Sequence, residues 1–203
     1  MMKWIARSIS VILHPLFILN FGLFSLFKFH PYYVSKFYEE QFYTISMFIA
    51  VNTLIMPLLS VYLLKRFNFI SDFAITDRKQ RLMPYTVIVV LLGFTSYQLY
   101  QNEVYGLPLK FMLSTIICVV INILLNIKFK VSSHAIASGG LVGLYLFLTM
   151  NRHLSVFNPM LVGAVLAAGI SAWSRLYLEA HNEKEVYTGF GIGLLVCFVG
   201  MFF

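Results

Sequence analysis

Long apolar runs joined by short polar connections make up almost the whole chain. The runs fall at roughly 5–27, 43–64, 84–101, 109–127, 134–150, 157–175 and 186–203. A helix needs about 20 mainly apolar residues to cross a bilayer. Five of the runs reach or approach that length, while the fifth and the last are short. Apolar positions run unbroken through each segment instead of alternating. Helices, whose backbone bonds close within the segment, fit that pattern better than barrel strands. The predicted fold is an all-α polytopic membrane bundle of about six or seven transmembrane helices, in one domain over residues 1–203. No linker, low-complexity stretch or internal repeat interrupts it. Lys3 lies before and Arg7 at the start of the first run, which is longer than the core of a signal peptide and lacks a small-residue cleavage site. That run reads as an uncleaved first span.

The connections carry the polar information. Asp77 to Pro84 is a basic stretch between the second and third runs. Lys130-Val131-Ser132-Ser133-His134 joins the fourth to the fifth. Ser174-Arg175, His181 and Glu185 fall between the sixth and seventh. Each connection follows an even-numbered run, so the count puts all three at one end of the bundle. His30, Arg152 and His153 fall at the other end.

Composition narrows the function classes. Of 203 residues, 60% are hydrophobic and 11% charged, against about 25% charged in soluble domains. The net charge of +7 sits in short loops between apolar runs, where it reports topology, anionic lipid or a phosphate site. No nucleic-acid partner is expected. Cys118 and Cys197 lie inside apolar runs, and no Cys cluster, His-x-x-x-His pair or Asp-rich loop is present, so no metal and no cofactor are expected. His14 precedes Pro15 inside the first run and reads as a kink or packing position. Asn122 and Asn126 share a face of the fourth span and read as interhelical hydrogen-bonding groups.

The three connections supply arginines, lysines, two histidines, two serines and a carboxylate. Arginine forks suit phosphate oxygens. Ser132 and Ser133 precede a helical run, whose free N–H groups can cradle an anion. Of two histidines, one can attack phosphorus and the other can protonate a leaving oxygen. His181 and Glu185, four apart, share a helix face, so the carboxylate can orient the ring.

These residues resemble a known family. Ser174-Arg175, five residues, His181, three residues and Glu185 look like the third signature of the type 2 phosphatidic acid phosphatases. Ser132-Ser133-His134 looks like their second signature, Ser-Gly-His. The basic stretch ending at Pro84 lies where their first should be: a lysine, six residues, then Arg-Pro. The resemblance covers residues 77–193, including Gly189 and Gly193. It implies that His181 is the nucleophile, Glu185 its orienting carboxylate and His134 the general acid. It further implies that Arg175 binds the phosphoryl oxygens, with Ser132, the N–H groups of Ser133 and His134, and the basic stretch completing the clamp. Three departures stand out. Glu185 replaces the usual Asp. Ser133 replaces a glycine, which would matter if the backbone needed positive φ there. The first signature has no lysine seven residues before Arg-Pro, leaving Arg78, Lys79 and Arg81, with Lys130 nearby, as the candidates to touch phosphate.

The resulting expectation is a metal-independent lipid phosphatase that hydrolyses a phosphomonoester or pyrophosphate of a lipid through a phosphohistidine. The alternatives are a lipid phosphotransferase, or a non-catalytic binder or transporter of anionic lipids that keeps the fold. Expected partners are the lipid phosphate or pyrophosphate and membrane lipids, with no obligate protein partner. The expected location is a bacterial inner (cytoplasmic) membrane. The face is left open, because the excess of basic residues on the cluster side points inward and the family resemblance points outward.

Overall fold

The computed structural model describes residues 2–73, 75, 77–150 and 158–203. Arg152, His153 and the first residue of the expected sixth span, 157, lie outside them. The regular elements among the described residues are all helical: α1 (Met2–Ile12), α2 (Pro15–Phe29), α3 (Pro31–Lys36), α4 (Glu39–Ala50), α5 (Met56–Arg66), α6 (Leu82–Gln101), α7 (Leu107–Asn126), α8 (Ser133–Met150), α9 (Asn158–Tyr177) and α10 (Glu183–Gly200). A π-helical turn, Val51–Ile55, fuses α4 to α5, and a 3₁₀ turn, Arg78–Arg81, leads into α6.

The protein is an all-α multi-pass bundle. Among the described residues, five stretches are long and apolar enough to cross a membrane: Glu39–Arg66, Arg78–Gln101, Leu107–Asn126, Ser133–Met150 and Asn158–Tyr177. The pair α1 and α2, bent by 47°, makes a sixth if it is one broken span. The expected seventh span is α10. It opens on Glu183, Lys184 and Glu185, so its apolar stretch falls short of the others.

Prolines explain the breaks. The residue before a proline is pushed out of the helical region, and His14, before Pro15, is extended at φ −65°, ψ 141°. The first apolar run therefore splits into α1 and α2. Pro57 has no N–H and its ring crowds the carbonyl four residues back. The helix answers with the π turn directly before it. There Thr53 accepts a hydrogen bond from Asn20 Nδ2 at 2.9 Å, tying α2 to the bent span.

Glycines let α8 and α10 approach backbone to backbone. A methyl group at Gly189 would lie 2.8 Å from the Ser132 carbonyl oxygen. At Gly139, Gly143 and Gly193 it would fall onto the backbone of the facing helix. Gly139 with Gly143, and Gly189 with Gly193, are spaced four apart, as small residues are where membrane helices touch backbone to backbone. This packing holds the start of α8, with His134, against the start of α10, with Glu185. Ser132 N–H donates to the Glu185 carbonyl at 3.2 Å across the same junction.

Candidate functional site

The loop between α9 and α10 is built by two local signals. Glu179 takes a left-handed conformation, φ 54°, and Ala180 N–H returns to the Arg175 carbonyl at 3.1 Å, which closes α9. Asn182 then caps α10, its Oδ1 accepting from Glu185 N–H at 3.0 Å. His181 is left between the two helices, one turn before Glu185. Its Nδ1–H donates to Glu185 Oε2 at 2.7 Å. That bond fixes the tautomer with Nε2 unprotonated. The extra methylene of glutamate does not prevent the contact.

His181 is 8% exposed. Burial, and then the charges of Arg175, Lys130 and Arg81, push its imidazole down to about 3. Glu185 pulls the other way, but one carboxylate against burial and three cations leaves the ring neutral at neutral pH. Lys130 donates through Nζ to the Ala180 carbonyl at 3.0 Å, bracing the His181 loop from the opposite connection. Burial and Arg81 lower the affinity of Lys130 for its proton, while Glu185 opposes them.

Arg175 sits in the last turn of α9 and reaches toward α1. Its Nη1 donates to Ser10 Oγ at 2.7 Å. Its Nε is buried with no hydrogen-bond partner. His134, in the first turn of α8, directs Nε2 at the Ser10 carbonyl oxygen, 3.0 Å away. A carbonyl only accepts, so that nitrogen carries a proton. The His14 ring packs edge-on against His134, with centroids 5.5 Å apart. Ser174 Oγ anchors α1 by donating to the Ala6 carbonyl at 2.8 Å.

The basic stretch resolves into one inward and two outward residues. Asp77 caps the 3₁₀ turn, accepting from Lys79 N–H at 3.0 Å. One turn later Arg81 is 6% exposed, and its Nε is held by the Ile75 carbonyl at 2.9 Å. Arg78 is exposed and donates to the Lys128 carbonyl at 3.0 Å. Lys79 is exposed as well. Of the three basic candidates in this stretch, Arg81 alone is buried.

The serines divide in the same way. Ser132 is fully buried and caps α8, its Oγ accepting weakly from Ala135 N–H at 3.4 Å. Ser133 Oγ joins Tyr85 Oη of α6 at 2.7 Å and Asn122 Nδ2 of α7 at 3.1 Å. Ser133 is the first residue of α8 and is not among the positive-φ residues, so this backbone does not require the glycine it replaces. Asn126 Nδ2 donates to the Arg78 carbonyl at 2.8 Å, and both asparagines act as interhelical ties.

Arg81, Ser133, His134, Arg175 and His181 line one cavity of about 340 Å³. His14, Tyr85 and Asn122 join them at its polar end. Below, the walls are apolar, supplied by α2, α5, α6, α7 and α8, down to Phe111, Cys118 and Cys197. Arg78, Lys79, Lys130, Ser132 and Glu185 do not line it. Lys130 and Glu185 instead hold the loop that does. Ser10 and His14 were not legible as site residues. They lie more than a hundred residues from His134 in sequence, inside a run that reads as membrane span. The His14-Pro15 break was the one available signal.

The site is therefore a neutral, carboxylate-oriented histidine, a second histidine and two arginines over an apolar cavity in a helical bundle. Comparison with protein-family models, with curated proteins and with solved structures finds no match.

Proposed function

We propose that the protein is a membrane lipid phosphatase that works through a phosphohistidine on His181 and needs no metal. The observation that carries this reading is the convergence of Arg81, Arg175, His134 and His181 on one cavity whose remainder is apolar. A phosphate monoester or pyrophosphate would sit between the two guanidinium groups, with its lipid tail among the helices. The unpartnered Nε of Arg175 is a donor aimed at no protein acceptor.

In the proposed reaction His181 Nε2 bonds to phosphorus as the bond to the lipid oxygen breaks. The leaving oxygen takes its proton from His134, which would bind a second proton together with the phosphate dianion. Glu185 keeps the Nδ1 proton of His181 in place and balances the positive charge formed on the phosphorylated ring. Water then attacks phosphorus, gives a proton to the now neutral His134, and the N–P bond breaks to release phosphate. Arg81 and Arg175 stabilise the charge on the transferring oxygens. Such fixed positive groups can carry phosphoryl transfer by positioning and electrostatics.

The test is a substrate panel in detergent with chelator present, comparing wild type with His181→Ala and Arg175→Ala. Phosphate release by wild type alone supports the reading. Transfer of the phosphoryl group to an added lipid alcohol, instead of water, would convert the assignment to a phosphotransferase. Lipid-phosphate binding without turnover, unchanged in His181→Ala, would leave a binder or transporter.

A further inference from the structure

We infer that the cavity takes a single apolar chain of limited length, drawn in sideways from the bilayer between α2 and α5. The inference rests on the lipid-phosphate reading of the polar end. Along α7 the cavity runs from Asn122 to Phe111, three turns of helix or about 16 Å at 1.5 Å per residue. It is closed at depth by Leu92, Phe111 and Cys197, which are buried. The volume of about 340 Å³ is that of roughly eleven waters in the liquid. The phosphate takes the share at the polar end, and a methylene is close to a water in size, so on the order of eight to ten chain carbons fit in the rest, in one strand and not two.

The side opening follows from the π turn. α2 and the bent span meet at Asn20 and Thr53. Toward the polar end the cavity lies between them, walled by Leu16 and Leu19 on one side and Pro57, Leu58 and Val61 on the other. Leu58 lines the cavity and is 47% exposed, so α2 does not cover it there. A chain entering by this route keeps its tail in apolar surroundings throughout while its phosphate slides along the polar end toward Arg81 and Arg175.

The experiment measures binding to the purified full-length protein in detergent, by thermal shift and calorimetry. The probes are monoalkyl phosphonates of graded length and a two-chain glycerolipid phosphonate, none of which can be hydrolysed. Single-chain phosphonates are expected to bind, with affinity that stops rising at about eight to ten carbons. Val119→Phe, which adds a ring to the cavity wall, is expected to shorten that limit by several carbons. Val120→Phe, on the exposed face of α7, is the folding control and should keep the wild-type profile. Binding confined to the two-chain probe, or a length profile that Val119→Phe leaves where it was, overturns the inference. A parallel turnover assay separates the two questions. Length-limited binding without phosphate release sinks the phosphatase reading and keeps the chain site, whereas turnover with no length limit does the reverse.

Discussion

At the residue scale, the chemistry depends on which nitrogen of each histidine is free. Glu185 holds His181 in the tautomer that exposes Nε2. Glu185→Gln should keep the fold and lower phosphate release by about 10–100-fold, because an amide can orient the ring the wrong way and cannot balance its charge. A loss seen in kcat with KM nearly unchanged would mark Glu185 as a positioning residue. The depressed imidazole also predicts a pH effect on stability. In the unfolded chain His181 has its ordinary value of 6.5, and in the folded protein about 3. The unfolded state therefore binds the extra proton first. Its contribution to stability is full above pH 6.5 and is lost as pH falls toward 3. The drop in melting temperature of detergent-solubilised protein over that window should be smaller in His181→Gln. An equal drop would show that His181 is not the buried neutral group described here. Ser10 makes a third case. Ser10→Ala removes the hydroxyl that accepts from Arg175 Nη1 and lies 3.3 Å from His134 Nε2, while leaving the carbonyl that is the nearer partner of His134 at 3.0 Å. It should weaken substrate binding several-fold, read as KM, with folding intact by thermal melt.

At the element scale, much was legible and the reasons for the rest are specific. Unbroken apolar runs announce helices, and the ends of most spans fall within a few residues of their expected places. The first run hid its break because apolar residues continue on both sides of His14-Pro15, and only the pre-proline backbone separates α1 from α2. The final run looked like a span, yet its helix starts three residues earlier, where Asn182 caps it, and so opens on charged positions. The convergence of three connections was legible from counting. Which basic residue faces inward was not, since that is set by contacts from carbonyls outside the stretch, Ile75 holding Arg81 and Lys128 holding Arg78, and not by spacing along it. Gly189 and Gly193 entered the sequence reading through a resemblance, and the structure supplies their physical reason. Gly193→Val should force α8 and α10 apart. Overpacking of this kind costs about 1–3 kcal/mol or more, and it should lower the melting temperature and release the hydrogen bond between Ser132 and Glu185. A variant with wild-type melting and activity would mean that the close approach of these helices is not what holds the two histidines together.

At the scale of the whole molecule, a small bundle gathers the polar groups of its cavity at one end and leaves apolar walls beneath them. The polar end is stitched by cross-connections between distant segments: Lys130 to Ala180, Asn126 to Arg78, Ser10 to Arg175 and Tyr85 to Ser133. None is adjacent in sequence, which is why no single motif describes the site. The central claim is that this end performs phosphoryl transfer through His181. The most direct measurement is phosphate release from a single-chain lipid phosphate by the purified protein in chelator, with wild type and His181→Ala side by side. The account predicts steady release by wild type, undiminished by the chelator, and none above background by the variant. Activity lost on chelation, or retained in full by His181→Ala, would contradict it.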